Sequence, residues 1–358
     1  MNLSDFKLRG STAIYALLTA SAILGGFTAA ARGDTLIVLN KSEASASLVD
    51  LDSGDEVARV PTGEGPHEVA VSPDGRTAVV GNYGTGENPG NTLTVIDVES
   101  AQAVKTIDLG EYSRPHGIEY LSNGDRVAVT VEANKALIVV DVASGKVVQA
   151  IETGQDVSHM VALTPDEKRA FVANIGSGSV TAIDLEKGER IANIATGEGA
   201  EGITVTPDGR HVWVTNRGAD TVSVIDAQSL EIVKALPSAS FPIRAKATPD
   251  GKWVLVTNAR SDELAAFAPD AMEERKRIKM ELKAEDAEGR LFGDAFGESS
   301  VPIGVLVAPD GSRAFVAHAN ADVVSVVDLN SWEITGYLRG GKEPDGLGYS
   351  TREAARTP

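Results

Sequence analysis

Cysteine is absent from all 358 residues, and that absence removes several chemistries together. There is no thiolate to hold a metal, no thiol nucleophile, no haem attachment through Cys-x-x-Cys-His and no disulfide. A metal site in this chain has to be built from His, Asp, Glu, Asn or Met. A core of this size is sufficient without disulfides, even outside the cell. Positive charge is also in deficit: 33 Lys and Arg stand against 51 Asp and Glu, a net charge of −18. A phosphate backbone demands a basic surface, so DNA and RNA are excluded as partners. No basic amphipathic segment marks a membrane surface either.

The common catalytic signatures are missing too. There is no phosphate-binding P-loop, no Gly-x-Ser-x-Gly elbow and no His-Glu-x-x-His helix. Gly84 to Gly90 (GTGENPG) half-resembles a dinucleotide-binding loop, but the spacing is wrong and no helix follows, so it reads as a long loop. Asp50, Asp52 and Asp55 lack the spacing and turn glycine of a calcium loop and read as a solvated hairpin.

Residues 1–33 read as an address. Lys7 and Arg9 precede the apolar AIYALLTASAILGGF and the small-residue TAAA, a pattern that predicts a signal peptide cut near Ala31. The uncharged run 10–31 would just span a bilayer, so an uncleaved anchor is the alternative. Twin arginines are absent, which points to Sec-type export and a periplasmic or secreted chain with no membrane contact after cleavage.

What the sequence does contain is a repeat. GPHEVAVSPDGRTAVVGN (65–82) returns, altered, about every forty residues. Pro73, Ser122, Pro165, Pro207, Pro249 and Pro309 mark one repeated point, at steps of 49, 43, 42, 42 and 60 residues, and Thr351 follows after 42 more. A period of about 40–45 residues marks a repeat architecture whose units cannot bury their apolar faces alone. Within one period, ITVTPDGRHVWVTN (203–216) gives two alternating runs around Asp208-Gly209, a hairpin signal. TVSVID (221–226) and EIVKALP (231–237) supply a third and a fourth strand. DAMEERKRIKMELKAED (270–286) reads as a long fourth strand with a helical start.

Six full repeats begin near Gly65, Arg114, Val157, Ala200, Phe241 and Val301. Residues 34–62 hold only a second, third and fourth strand, and EPDGLGYS (343–350) offers the missing first. The expected fold is all-β, a seven-bladed β-propeller of four-stranded antiparallel blades over 34–350, with the first blade shared between the chain ends and 351–358 as a tail.

VWVTNRGADTVSVIDAQSLEIVKALP (212–237) and AFVANIGSGSVTAIDLEKGERIANIATG (170–197), with the SPDG and TPDG turns, resemble YVTN-family propeller repeats. The resemblance covers 34–350 and implies the seven-bladed fold. Proteins of similar architecture include lactonases, the propeller subunits of amine dehydrogenases and the copper-bearing domain of nitrous oxide reductase. One fold hosts many activities, so function has to be argued from the site.

In a propeller the first strand of each blade is innermost and starts near the channel mouth. The residues at that start are His67, His116, His159, Glu201, Ile243, Ile303 and Asp345; next come Glu68, Gly117, Met160, Gly202, Arg244, Gly304 and Gly346. Three of the five histidines thus stand at one level on three consecutive blades. Imidazoles converging beside a carboxylate suit Zn, Cu or Fe, so His67, His116, His159 and Glu201 are the predicted metal set, with Glu68 assisting and Met160 tilting the choice to copper. A wet ring of polar side chains that binds nothing is the alternative. Glu68, Met160, Arg244 and Asp345 are the predicted ligand contacts at the mouth. Arg290, with Phe292, Asp294 and Phe296, belongs to an insertion (284–300) expected to form a lid with residues 82–91.

Asn40, Asn82, Asn174, Asn216, Asn258 and His318 end the second strands and read as turn residues bonded to their own loops, His318 being a further candidate ligand. His211 reads as a surface residue, and Trp213 and Trp253 as packing between blades. Three functions stay open: an exported scaffold for a small molecule or partner protein, a metal-dependent oxidoreductase or carrier, and, by resemblance alone, a lactonase-like hydrolase. A monomer is expected. A phosphorylated lactone fits poorly, because Arg244 is the lone cation at the axis and a signal peptide precedes the repeats.

Overall fold

Each repeat turns on the same local chemistry. In the TPDG turn of blade five the Thr206 hydroxyl donates to Asp208 Oδ1 at 2.6 Å, and that oxygen accepts the Arg210 N–H at 3.0 Å. Gly209 sits at φ 72°, the left-handed conformation that glycine adopts without a Cβ penalty. The turn closes the hairpin of Ala200–Val205 with His211–Asn216; Thr221–Asp226 and Ile232–Pro237 complete the blade. β-Branched residues fill the second and third strands, which lie buried between neighbouring blades, whereas the fourth strand faces outward and is mostly exposed.

The computed structural model describes residues 33–282, 290 and 292–357. They form seven four-stranded antiparallel sheets, the blades of a propeller. Blade one pairs Pro344–Ser350 with Thr35–Asn40, in the register Thr35↔Ser350 and Val38↔Leu347, so the two chain ends share it as expected. Residues 351–357 are bound as well. The Ala355 N–H donates to Glu99 O and the Thr357 N–H to Val57 O, both at 2.9 Å. Arg352 Nε donates to Asp74 O at 2.9 Å. The predicted cleavage near Ala31 and the charges at Lys7 and Arg9 lie outside the described residues, as do 284–289 and 291 of the predicted lid. No helix among the described residues is long and apolar enough to cross a membrane.

Several local expectations change. Residues 269–272 form a turn and Glu273–Lys279 a strand, so the helical start of that segment does not occur. The glycine-rich 82–91 stretch is a hairpin extension with a register shift between Asn82 and Gly84, Thr77–Gly84 pairing with Pro89–Asp97. Trp213 is fully buried and packs its ring 5.8 Å from Phe267 of the next blade, and Trp253 meets Trp332 at 5.0 Å, as packing between blades requires.

The second-strand asparagines do more than close turns. Asn40, Asn174 and Asn216 each donate from Nδ2 to hydroxyls of the third strand, Ser47, Thr181 and Ser223 respectively, at 2.9–3.0 Å. Asn40 Oδ1 also accepts the Gly341 N–H at 2.7 Å and Asn82 Oδ1 the Gly63 N–H at 3.0 Å, which ties one blade to the loop entering it. These side chains are buried braces. His318 takes the same place in blade seven, with Nε2 2.7 Å from Ser325 Oγ and Nδ1 2.8 Å from Ser300 Oγ. Both its nitrogens are engaged there, which corrects the expectation that it reaches inward as a ligand.

Candidate metal centre

Each inner strand is preceded by a residue in the left-handed region: Gly65, Arg114, Val157, Gly199, Phe241, Val301 and Glu343, with φ between 56° and 73°. For β-branched Val157 and Val301 this conformation is strained. The kink carbonyl accepts the N–H of the residue one past the asparagine position of the second strand: Tyr83 on Gly65, Glu132 on Arg114, Arg217 on Gly199, Lys41 on Glu343. That bond hangs the side chain of Lys41, Tyr83, Glu132 or Arg217 over the channel mouth. A register shift at the start of each inner strand then breaks strict alternation, so that consecutive residues can both approach the axis.

The second position of the inner strand alternates large and small around the ring. A Cβ on Gly346 would lie 2.8 Å from Glu68 Cα, one on Gly117 2.8 Å from Met160 Cα, and one on Gly202 2.5 Å from Arg244 Cα. Each large residue is therefore admitted by glycine on the preceding blade. Seven is odd, so two glycines, Gly304 and Gly346, meet at the closure.

Three of the predicted metal residues do converge. The rings of His116 and His159 lie 3.5 Å apart between centroids, and those of His67 and His116 4.9 Å apart. His159 Nδ1 contacts Glu132 Oε1, and Glu132 Oε2 accepts the Tyr83 hydroxyl at 2.6 Å. Ligand atoms of His116, Glu132 and His159 all lie within 4.8 Å of one another, a buried group that could hold a metal ion. His67 stands at its edge, its Nδ1 2.7 Å from Gly65 O and its ring 4.5 Å from that of Tyr83. Glu201 approaches His159 Nε2 at 3.3 Å, an ion-pair contact rather than a well-aligned hydrogen bond; its main partners are Arg217 at 2.5 Å and Arg244 at 3.0 Å.

Arg244 closes the channel beneath the histidines. From blade six it reaches Glu68 of blade two at 2.9 Å, Glu201 of blade five at 3.0 Å and Asp345 of blade one at 3.8 Å. Asp345 also lies 3.9 Å from Lys41. A cavity of about 270 Å³ above this plate is lined by the three histidines, Tyr83, Glu132, Glu201 and Arg217. It borders a vestibule of about 700 Å³ that shares His67 and Tyr83 and is walled by Lys41, Arg114, Arg290 and Glu343. Arg290 is anchored to Asp322 at 2.6 Å and to Ala319 O at 2.6 Å. Met160 lies on the other side of the plate, in a lower cavity, which removes the ground for preferring copper.

Burial pushes the pKa of His116 well below the usual imidazole range, and His159 adds to that; burial and Lys41 do the same to His67. Burial also works against a charge on His159, but Glu132 and Glu201 outweigh it and raise its pKa. Burial opposes ionisation of Glu201, yet His159, Arg217 and Arg244 hold it at about 2. Burial raises Glu68 and Asp345, each against the pull of Arg244.

A model of YNCE-like β-propellers matches residues 122–280. A chain of Kuenenia stuttgartiensis hydrazine synthase aligns at 22% identity and TM-score 0.67, over 82% of this chain and 92% of that one. A functionally unknown protein from Desulfotomaculum acetoxidans aligns at 16% identity and TM-score 0.72, over 89% and 99%. No curated protein sequence matches. At these identities the likeness to solved structures is one of fold. The chain is a seven-bladed propeller, similar from the second strand of blade three through blade six to the YNCE-like family.

Proposed function

We propose that this chain is an exported metal-binding propeller in which His116, Glu132 and His159 hold one divalent transition-metal ion, and that the vestibule brings a small molecule or partner protein to it. The observation that carries this reading is an orphaned donor set. His116 Nδ1 is buried without a hydrogen-bond partner and His159 Nε2 has only the 3.3 Å ion-pair contact with Glu201, whereas buried polar atoms are otherwise almost always satisfied. Charge supports the same reading: among the described residues the buried carboxylates of Glu132 and Glu201 both face His159, so a cation bound beside it would meet negative charge.

Two imidazoles and one carboxylate suit Zn or Fe(II), with further positions left for water or substrate. Bound there, the metal would act as a Lewis acid or a redox centre. Glu132 is positioned by the Tyr83 hydroxyl, and His159 by its two carboxylates. Export rests on the pattern of residues 1–33. The test is metal analysis of protein exported to its own compartment. One ion per chain is expected, lost in the His116→Ala/His159→Ala double variant and retained in His67→Ala. Equal substoichiometric metal in wild type and the double variant would overturn the reading.

A further inference from the structure

A second cavity, of about 350 Å³, lies on the far side of the Arg244 plate from the histidines. The two cavities have only Arg244 in common. The roof of the lower one is electrostatically spent, because the Arg244 guanidinium is already engaged by Glu68 and Glu201. Its wall is a collar of one aliphatic residue per blade, from Val69 and Ile118 round to Val305 and Leu347.

Below the collar stand two charges, Glu119 of blade three and Lys246 of blade six. They occupy the same place in the inner strand, on blades three apart in a ring of seven, the widest separation the ring allows. The other residues at that level, such as Ala70, Ala162 and Leu306, carry no charge. Glu119 Oε2 accepts the Leu163 N–H at 3.0 Å, which leaves Oε1. The Lys246 ammonium makes no hydrogen bond among the described residues, and no ion pair joins it to Glu119. Burial pushes the Glu119 pKa up and the Lys246 charge pulls it back, so the cavity holds one carboxylate and one ammonium that attract across it without touching, beneath a collar of aliphatic side chains.

We propose that this lower cavity binds a small zwitterion with an aliphatic body, an amino acid, its carboxylate on Lys246, its ammonium on Glu119 and its carbon chain against the collar. A simple anion would pair with Lys246 but face Glu119 uncompensated, and a simple cation would meet the reverse. A purely apolar molecule would strip water from both charges without replacing it. An amino acid answers each element, and the volume accommodates it.

The test is titration calorimetry of the full chain with L-leucine, 6-aminohexanoate, isovalerate and isopentylamine. At least one of the two amino acids should bind, and isovalerate and isopentylamine about tenfold more weakly or worse, since each forfeits one charge-assisted contact. Lys246→Met and Glu119→Gln should each weaken the amino acid by a similar factor, and Lys246→Arg should largely restore it. Unchanged thermal melts would show that these variants fold. The His116→Ala/His159→Ala variant should bind the amino acid as wild type does, which separates this site from the metal centre. Absence of heat with both amino acids, equal affinity for leucine and isovalerate, or an unaffected Lys246→Met variant would overturn the proposal.

Discussion

His318 Nε2 lies 2.7 Å from Ser325 Oγ, seven residues on, the same brace that asparagine makes to Ser47, Thr181 and Ser223 in three other blades. The histidine version adds a titration. Burial lowers its pKa to about 3, whereas an unfolded histidine titrates near 6.5. A depressed histidine favours the native state fully above the unfolded pKa and loses that advantage as pH falls from about 6.5 toward about 3. The loss is on the order of a few kcal/mol. His318→Asn should keep the brace and remove this share of the acid sensitivity. Urea midpoints at pH 7 and pH 4 would show a smaller drop for the variant than for wild type; an identical drop would refute the assignment.

Arg244 is the second point of leverage. It is buried, and Glu68 and Glu201 face it at 2.9 and 3.0 Å. Removing one partner of a buried ion cluster leaves uncompensated charge, which typically costs about 3–5 kcal/mol. Arg244→Met should therefore destabilise by that order, and Glu68→Gln in the same chain should recover part of it, because it removes one stranded carboxylate. Additive losses in the double variant, measured by denaturant unfolding, would contradict the plate as described.

The fold was legible because the period, the turn residues and the incomplete first blade all say the same thing, and the pairing of Thr35 with Ser350 follows from them. The inner ring was legible for the same reason: aligning the repeats put His67, His116 and His159 at one level. Glu132, Tyr83, Arg217 and Lys41 were missed. They share a level too, one residue beyond the asparagine brace, but four residue types there disguise it. Blade three hides its member further, since Val131 replaces the asparagine. Met160 lines the cavity on the far side of the plate from the histidines; sequence gives the level of a residue on a strand but not which side of the Arg244 plate its side chain takes.

Tyr83 and Glu132 carry a prediction of their own. The Tyr83 hydroxyl holds Glu132 Oε2 at 2.6 Å while Oε1 faces His159. Tyr83→Phe frees the carboxylate to rotate, so metal affinity should fall about 10–100-fold, the usual effect of losing a group that orients a ligand. Stoichiometry at saturating metal should stay at one ion per chain, and competition against a chelator would read the affinity. An unchanged affinity would remove Tyr83 from the centre.

The alternation of large and small residues around the channel makes a sharp claim about glycine. A methyl group on Gly346 would press against the His67 carbonyl oxygen and stand 2.8 Å from Glu68 Cα, both backbone atoms of the next blade. Neither can withdraw without opening the shared blade, so Gly346→Ala should destabilise by about 1–3 kcal/mol or more through overpacking. Gly336 provides the control: it lies in the outer strand Glu333–Arg339, and a methyl there meets nothing within 4 Å. Gly336→Ala should stay within about 0.5 kcal/mol of wild type. The comparison is of denaturant midpoints for the two variants. Equal midpoints would mean that the inner strands are not crowded, and that Gly117, Gly202 and Gly346 admit Met160, Arg244 and Glu68 for some other reason.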